Sequence, residues 1–174
     1  MRPPRIFFDI DGTLNYWREW ATPADVNRPG FFYQAEAIAP MCALAVLSAE
    51  SYDVAVCSKG YGDTRRKRRE VEEEKARWLW RYVPELAGRL LICPEELDKD
   101  TFLRPGPQDI LISDRTADEL ETWSGIGIKV LNGVNGRHGR WKGLTLDINA
   151  DLPEMLEVLQ KAFSIGRREA EAGA

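Results

Sequence analysis

Short apolar runs alternate along this chain with longer stretches in which hydrophobic residues recur at helical spacing. The apolar runs lie at residues 6–10, 53–57, 89–92, 109–113 and 127–131, and the helical stretches lie at residues 35–50, 64–82 and 151–163. Short apolar runs bounded by turn residues predict buried strands, and their alternation with helices is typical of parallel sheets. We therefore predict an α/β fold, a Rossmann-like doubly wound parallel sheet of about five strands with helices on both faces.

Two carboxylates stand at the end of the first predicted strand, where Asp9 and Asp11 flank Ile10. Side chains two residues apart on a strand point to the same side, so both carboxylates enter one space. Gly12 then allows a sharp turn, and the Thr13 hydroxyl can bond to nearby backbone. Two carboxylates this close repel each other unless a proton or a cation lies between them. The pair therefore indicates a site for a hard cation such as Mg²⁺, with one carboxylate free to attack phosphorus.

The sequence Asp-x-Asp-Gly has two other interpretations, a plain turn and a calcium-binding loop. In calcium loops further Asp or Asn residues follow at alternate positions, and a glutamate closes the loop. Here the alternate positions carry Thr13, Asn15 and Trp17, and no glutamate stands at the closing position. The apolar strand directly before the pair also argues against an isolated turn.

Polar side chains also follow two other predicted strands. Ser58 and Lys59 open a glycine-containing loop of the kind that cradles phosphate, although strand-to-helix loops are often rich in Ser and Gly. Asp114 follows the fourth predicted strand. In doubly wound sheets ligands bind at the carboxyl ends of the strands, near the point where strand order reverses. We therefore expect Asp9, Asp11, Ser58 and Asp114 to meet along one edge of the sheet.

Residues 15–34 are rich in aromatic side chains, including Trp17, Phe31 and Phe32, and two prolines and a glycine interrupt any long helix there. These aromatic residues could form a satellite hydrophobic core. Alternatively, the segment could be a small cap inserted after the first strand, with aromatic rings that stack on a planar ligand. We favour the cap.

The predicted helix at residues 64–82 begins with a basic run at residues 65–69 and carries Lys75 beside its apolar stripe. We favour a solvated helix face for the basic run, with an anion-attracting rim as the alternative. A lysine beside a core-facing stripe more often extends its ammonium group to solvent than takes part in catalysis.

Composition narrows the class of protein and its partners. The 174 residues are 44% hydrophobic and 30% charged, which is ordinary for a globular domain with a sizeable core. We expect one domain, residues 1–174, that includes the cap. A formal net charge of −4 argues against a nucleic-acid partner, and no apolar run approaches the length of a membrane span. In the absence of a recognisable secretory signal, we expect a cytoplasmic protein without a membrane partner.

The histidine and cysteine content excludes some chemistry. His138 is the single histidine, which excludes multi-histidine zinc sites, and it lies far from any Gly-x-Ser-x-Gly sequence that could supply a nucleophilic serine. The three cysteines, Cys42, Cys57 and Cys93, form no Cys-x-x-Cys pair, so we expect buried reduced thiols.

The sequence Asp-Ile-Asp-Gly-Thr after a buried N-terminal strand resembles the first motif of the haloacid dehalogenase superfamily of phosphohydrolases. Most of the chain, residues 6–141, is similar more narrowly to the cytosolic and mitochondrial 5′(3′)-deoxyribonucleotidases and their bacterial and phage relatives. The resemblance implies that Asp9 is the nucleophile and that Asp11 is the general acid and base.

Two further segments resemble phosphate-binding motifs of that family. Cys-Ser-Lys at residues 57–59 resembles the second motif, whose hydroxyl group holds phosphoryl oxygens, and Glu-Lys-Ala-Arg-Trp at residues 74–78 resembles the segment that carries the third-motif lysine. By this resemblance Ser58, Lys59 and Lys75 bind the phosphate, which reverses the expectation that Lys75 only extends to solvent.

The resemblance also assigns the base-binding residues. Arg-Pro-Gly-Phe-Phe at residues 28–32 resembles the cap segment that lines the nucleobase pocket of the family. The resemblance therefore implies that Phe31 and Phe32 contact the substrate, together with Trp17.

The fourth motif departs from the family pattern. The family sequence resembles Ile-Asp-Asp-Arg, and this chain reads Ile-Ser-Asp-Arg, so that Ser113 replaces the first aspartate. The superfamily also uses Gly-Asp-x-x-x-Asp, which Ser113, Asp114 and Asp118 match with Ser in place of Gly. We therefore predict Asp9, Asp11 and Asp114 as the Mg²⁺ ligands, with Asp118 in support and Asp11 contributing a nearby backbone carbonyl.

The resemblance implies a Mg²⁺-dependent phosphomonoesterase that acts on (deoxy)nucleoside monophosphates through an aspartyl-phosphate. Two alternatives stay open. One is a phosphatase of another small phosphomonoester, or of a nucleic-acid end guided by the basic run at residues 65–69. The other is a non-catalytic nucleotide-binding protein in which Ser113 marks a decayed metal site. A homodimer is also left open.

Overall fold

A parallel β-sheet forms the centre of the protein. The computed structural model describes residues 3–18, 21–134 and 139–172. The strands in these ranges are β1 (Arg5–Phe8), β2 (Asp53–Lys59), β3 (Leu90–Cys93), β4 (Ile110–Ser113), β5 (Ile126–Leu131) and β6 (Leu144–Asp147). They lie in the order β3-β2-β1-β4-β5-β6, and every neighbouring pair is parallel. The predicted Rossmann-like α/β fold is confirmed, and the five predicted strands correspond to β1–β5.

The strand β6 is missing from the prediction because its sequence pattern is weak. Residues 144–147 read Leu-Thr-Leu-Asp, which is too short a pattern to distinguish from a loop. The strand pairs with β5 alone, so its backbone hydrogen bonds depend on a tertiary partner. Just before β6, the Trp141 indole N–H donates to the Leu144 carbonyl at 2.9 Å.

The helices that the structure describes connect and flank these strands. They are α1 (Pro23–Val26), α2 (Ala39–Ala49), α3 (Arg65–Tyr82), α4 (Lys99–Leu103) and α5 (Leu152–Ala172). A 3₁₀ turn at Pro84–Arg89 precedes β3, and a π-helical turn at Thr116–Leu120 follows β4. None of the described helices has the combination of length and hydrophobicity that a membrane span requires.

Two helical segments differ from the prediction. The helix α4 lies outside the predicted helical stretches, and its first turn is capped by Asp98 accepting the Thr101 N–H at 2.6 Å. The last predicted helical stretch ended at residue 163, but α5 continues to Ala172. Short helices such as α4 escape periodicity analysis because they show less than two turns of pattern.

Alternate side chains of the strands build a separate hydrophobic core on each face of the sheet. On one face Ile6 and Phe8 of β1 pack with residues of α2, α3 and α5. On the other face Phe7 and Leu111 pack with Trp123 and with residues of α4, and the Phe7 and Trp123 rings meet edge to face at 5.8 Å. Because both faces of β1 are buried, its residues 6–8 are all apolar and do not alternate with polar residues.

Strand order reverses beside β1. The chain adds β2 and β3 on one side of β1 and then returns to place β4 on the other side. Phe8 is in register with both Val56 of β2 and Ile112 of β4, so the carboxyl ends of these three strands lie close together. This is the edge at which doubly wound sheets bind ligands.

The three cysteines are buried and none of them forms a disulfide, as predicted. Burial raises the pKa of both Cys42 and Cys57 to about 12. These thiols therefore stay protonated near neutral pH and serve as apolar core residues.

Gly125, directly before β5, provides a test of the sheet packing. A Cβ at this position would lie 2.1 Å from the Asp109 carbonyl oxygen, which accepts hydrogen bonds from the Ile126 N–H and the Trp123 indole. We expect Gly125→Ala to lower the free energy of unfolding by about 1–3 kcal/mol in urea denaturation. Gly88→Ala is the control, because a Cβ at Gly88 meets nothing within 4 Å. Equal stability of the two variants would contradict the close approach.

Candidate functional site

A cleft of about 480 Å³ lies at the carboxyl ends of β1 and β4. It is lined by Asp9, Asp11, Trp17, Tyr61, Asp114, Arg115, Thr116, Ala117 and Asp118. Three of the four side chains that we expected to converge line this cleft, and the fourth, Ser58, is buried directly beside Asp11. The predicted convergence of polar side chains at this edge is confirmed.

Asp9 follows β1 directly and is buried. Its backbone N–H donates to the Ile112 carbonyl of β4 at 3.0 Å, which continues the sheet past the end of β1. Its Oδ1 accepts the Ile10 N–H at 2.8 Å and lies 3.1 Å from Lys99 Nζ. No described residue donates a hydrogen bond to Oδ2. One oxygen of Asp9 is therefore held in place, and the other is available to a ligand.

Lys99 is a fully buried cation beside Asp9 that we did not predict from the sequence. It begins α4, and its ammonium lies between Asp9 Oδ1 and Glu119 Oε2, at 3.1 and 2.7 Å. Burial alone would lower the pKa of Lys99, but the charges of Asp9 and Glu119 outweigh burial and raise this pKa. The ammonium group therefore remains charged and provides a fixed positive charge next to Asp9.

The turn after β4 buries Glu119 and leaves Asp118 at the surface. The Glu119 carboxylate accepts the Ser113 hydroxyl at 2.7 Å as well as the Lys99 ammonium. The Asp118 carboxylate is 52% exposed and pairs with Arg115, so the expected support of Asp114 by Asp118 is not what the geometry provides. The backbone hydrogen bonds of this π-helical turn join the Leu120 N–H to the Arg115 carbonyl at 3.3 Å and the Glu121 N–H to the Thr116 carbonyl at 2.9 Å.

Asp11 is held by three side chains. Lys75 Nζ lies 2.5 Å from its Oδ2, the Ser58 hydroxyl donates to the same oxygen at 3.4 Å, and the Asn15 amide donates to Oδ1 at 3.3 Å. The Lys75 ammonium is fully buried and also donates to Ser58 Oγ at 2.9 Å and to the Lys59 carbonyl at 2.7 Å. Lys75 therefore points into the site, as the family resemblance implied, and does not extend to solvent.

Asp114 is buried against Gly12. The Asn132 amide donates to Asp114 Oδ2 at 3.0 Å and to the Gly12 carbonyl at 2.7 Å. Gly12 has a φ of +76°, and a Cβ there would lie 2.1 Å from Asp114 Oδ2, so both backbone conformation and space require glycine. Burial and the nearby charge of Asp9 raise the pKa of Asp114 to about 7.

The chemistry of these donors fits a hard cation. The buried Asp114 Oδ1 has no hydrogen-bond partner among the described residues, and Asp114 and Asp9 repel each other. Mg²⁺ commonly takes one or two carboxylates and fills its other positions with water and phosphate oxygens. Within the described ranges, no group of three or more His, Cys, Asp or Glu side chains is arranged to hold a metal. Asp9 and Asp114 are therefore the residues of this edge that could hold such a cation.

Lys59 does not bring its side chain to the cleft. Its ammonium donates to the Leu97 carbonyl, and only its main-chain carbonyl contacts Lys75 of the site. The side-chain phosphate contact predicted for Lys59 is therefore not what the structure provides, because β2 extends through Lys59 and directs it away from Asp11. The second buried ammonium of the site belongs to Lys99.

The basic run at residues 65–69 behaves as a solvated helix face. Arg66 pairs with Glu70 at 3.0 Å and Arg69 with Glu73 at 3.1 Å, and both arginine side chains are largely exposed. None of the five residues of the run lines the cleft. This agrees with the interpretation that we favoured from the sequence.

An aromatic wall, formed by Trp17 and Tyr61, faces the cleft. Phe31 and Phe32 are buried behind it and are not lining residues. Phe31 meets Trp17 edge to face at 5.9 Å, and Phe32 stacks on Tyr61 at 5.7 Å. With Val71 they form a small hydrophobic core, so the satellite-core interpretation holds for Phe31 and Phe32 while Trp17 remains open to a ligand.

The residues of the site that were not predicted include Tyr61, Lys99, Arg115 and Glu119. Among these four residues, only Lys99 has a local sequence signal. It follows Asp98, a residue type that favours the N-terminal cap of a helix, and α4 begins there. Burial of a lysine cannot be read from its neighbours in a charged segment, because it depends on distant carboxylates.

Comparison with solved structures finds the same fold in a haloacid dehalogenase-like family hydrolase from Xanthomonas campestris. The two chains align with a TM-score of 0.55 and 14% sequence identity, over 95% of this chain and 98% of the other. No protein-family model matches the sequence, and neither does any curated protein. At this identity the likeness establishes the parallel α/β fold alone.

The raised pKa of Asp114 makes the stability of the metal-free protein depend on pH. This pKa is about 7 in the folded protein, against about 3.9 for an unfolded chain. The folded state therefore binds more protons between these values, and stability falls as the pH rises through this window. We expect Asp114→Asn to remove this loss, so that its stability relative to the wild type grows by about 2–4 kcal/mol from pH 4 to pH 8.

Urea denaturation in the presence of a chelator measures this difference. Asp118→Asn is the matched control, since it removes a half-exposed carboxylate from the same turn. Its stability relative to the wild type should change by less than about 0.5 kcal/mol over the same range. A constant difference between Asp114→Asn and the wild type at all pH values would contradict the assignment.

Proposed function

We propose that the protein is a Mg²⁺-dependent phosphomonoesterase that forms an aspartyl-phosphate on Asp9. The observation that carries the proposal is a pair of carboxylates at the end of β1, each with its own buried lysine, Lys99 on Asp9 and Lys75 on Asp11. Fixed cations beside an open cleft suit a dianionic phosphate group and the charge that spreads over it in the transition state. The fold shared with a haloacid dehalogenase-like hydrolase supports the same class of reaction.

Asp9 is suited to act as the nucleophile. Its Oδ1 is held by Lys99 and by the Ile10 N–H, while Oδ2 accepts no hydrogen bond from the described residues. Attack by Oδ2 forms the bond to phosphorus as the bond to the leaving oxygen breaks. Phosphomonoester hydrolysis is among the slowest uncatalysed reactions, so charge stabilisation by a cation fixed beforehand, such as Lys99, contributes much of the acceleration.

Asp11 is suited to act as general acid and base. It would protonate the leaving oxygen and then take a proton from the water that hydrolyses the aspartyl-phosphate. Ser58 and Asn15 hold its two oxygens in a fixed orientation. Lys75 donates to three acceptors already, so a phosphoryl oxygen would replace one of them when substrate binds.

Mg²⁺ would be held by Asp9, Asp114 and a main-chain carbonyl near Asp11. When bound, it offsets the repulsion between the phosphate dianion and these carboxylates and stabilises the charge of the transition state. The partnerless Oδ1 of Asp114 and the raised pKa of this residue support the assignment, because a cation relieves both.

The aromatic wall supports a planar leaving group, and we propose nucleoside monophosphates of the deoxyribonucleotidase type as substrates. Trp17 and Tyr61 line the same cleft as Asp9 and Asp11, and aromatic rings of this kind stack on bases. A nucleic-acid end receives no support from the basic run, because Arg66 and Arg69 pair with glutamates of α3 and none of the five residues of the run lines the cleft. The hydrogen bond from the Ser113 hydroxyl to Glu119, at 2.7 Å, supports a structural role for this serine over a decayed metal site.

Phosphate release from a panel of ribo- and deoxyribonucleoside monophosphates tests the function directly. We expect release with Mg²⁺ and none with a chelator, and Asp9→Asn should reduce it by at least about 1000-fold without lowering stability. Glu73→Gln should retain activity, because the Glu73 side chain is 62% exposed and pairs with Arg69 outside the cleft. Cleavage of small phosphomonoesters without cleavage of nucleotides would contradict the substrate class, and calorimetric binding of a nucleotide without turnover would contradict the enzyme.

The two lysines Lys99 and Lys59 give a second test, because each substitution removes one ammonium group. Lys99→Met should lower kcat/KM by about 100- to 10,000-fold, since a fixed cation beside the nucleophile is lost. Lys59→Met should stay within about threefold of the wild type, because its ammonium group lies outside the cleft. Full activity of a stably folded Lys99→Met variant would contradict the role of Lys99.

A further inference from the structure

Glu74 is a buried carboxylate that the proposed reaction does not use. It is 5% exposed, whereas its neighbours Glu72 and Glu73 on α3 are exposed. Its Oε1 accepts the Gly30 N–H at 2.6 Å and its Oε2 accepts the Phe32 N–H at 3.1 Å. Both oxygens thus accept hydrogen bonds from the main chain of the segment predicted as the cap. Hydrogen bonds to a charged acceptor are stronger than those between neutral groups.

The turn that Glu74 holds supports the aromatic wall. Gly30 has a φ of +82°, which turns the chain just before the two phenylalanines. Phe31 packs against Trp17 and Phe32 stacks on Tyr61, at 5.9 and 5.7 Å between ring centroids. The position of the wall over the cleft therefore depends on the two hydrogen bonds to Glu74.

The same helix carries the lysine that holds Asp11. Lys75 follows Glu74 in sequence, its ammonium lies 2.5 Å from Asp11 Oδ2, and it also lies 4.6 Å from the centre of the Phe32 ring and 4.8 Å from that of Tyr61. Consecutive residues of α3 thus hold the two ends of the cleft, one through the main chain of the wall and one at the reacting carboxylate.

We propose that Glu74 is a positioning residue that sets the selectivity of the site for its leaving group, by fixing the aromatic wall relative to Lys75 and Asp11. The proposal rests on the phosphomonoesterase function proposed above. Glu74 does not line the cleft and acts through the turn at residues 30–32. Weakening the hydrogen bonds of Glu74 therefore lowers activity on substrates whose leaving group reaches the aromatic wall. Activity on substrates too small to reach the wall is unchanged.

Steady-state kinetics of Glu74→Gln and Glu73→Gln test the proposal. Both substitutions remove one negative charge, but the Glu73 side chain is 62% exposed and pairs with Arg69 at the surface. Two substrates are compared, a deoxyribonucleoside monophosphate and acetyl phosphate, which is small and not aromatic. We expect Glu74→Gln to raise KM for the nucleotide about tenfold, the worth of one charge-assisted hydrogen bond, and to change acetyl phosphate turnover by less than about twofold. Glu73→Gln should match the wild type on both.

A loss of equal size on both substrates, or an unchanged KM for the nucleotide, would overturn the proposal. If Glu74→Gln does not fold, Glu74→Asp, which keeps the charge but shortens its reach, must show the same split between substrates.

Hydrogen exchange of the Gly30 and Phe32 amides provides a readout without turnover. These amides should exchange faster in Glu74→Gln than in the wild type and Glu73→Gln, and equal protection would overturn the proposal. A wild-type protein that hydrolyses neither substrate would contradict the phosphomonoesterase function alone. In that case the role of Glu74 is tested by measuring the affinity for the nucleotide calorimetrically. Equal affinity of Glu74→Gln and the wild type, or no binding by either protein, would overturn this role.

Discussion

The burial of several like charges at the end of one parallel strand is the constraint on which the rest of this structure depends. Asp9, Asp11 and Asp114 are each no more than 7% exposed and lie around one cleft. Carboxylates cannot remain ionised together in such a place without compensation. Two fully buried lysines, Lys75 from α3 and Lys99 from α4, supply it. Displacing either helix would leave a carboxylate buried without its partner, so charge compensation determines where both helices lie.

The compensation is incomplete at Asp114, which supports the proposed cation site there. The amide of Asn132 contacts one oxygen of Asp114, the other has no described partner, and the pKa is raised to about 7. A protein that maximised stability would not keep such a group, whereas a site for a cation and a phosphate dianion gains from it. The same helix that balances Asp11 through Lys75 also holds the aromatic wall through Glu74, which links charge compensation to the shape of the cleft.

The local sequence pattern was sufficient to predict the features that neighbouring residues determine. The strands β1–β5 are apolar because the sheet is covered on both faces, and Asp9 and Asp11 share a side because alternate residues do. Predictions were wrong or incomplete where the cause lies elsewhere in the fold. The turn after β4 buries Glu119 and leaves Asp118 half exposed, the Lys59 ammonium bonds to the Leu97 carbonyl outside the cleft, and β6 pairs with β5.

The sequence by itself therefore determined the parallel α/β architecture, the acidic pair after β1 and the edge of the sheet at which Ser58 and Asp114 join it. These follow from hydrophobic periodicity and from the geometry of strand ends, which neighbouring residues specify. Only the tertiary structure decided which lysines become buried, which carboxylate of the turn after β4 faces inward, and which aromatic rings remain open to a ligand. Such outcomes depend on contacts between residues far apart in the chain, such as Lys99 with Asp9 and Glu74 with Gly30, and no local pattern encodes them.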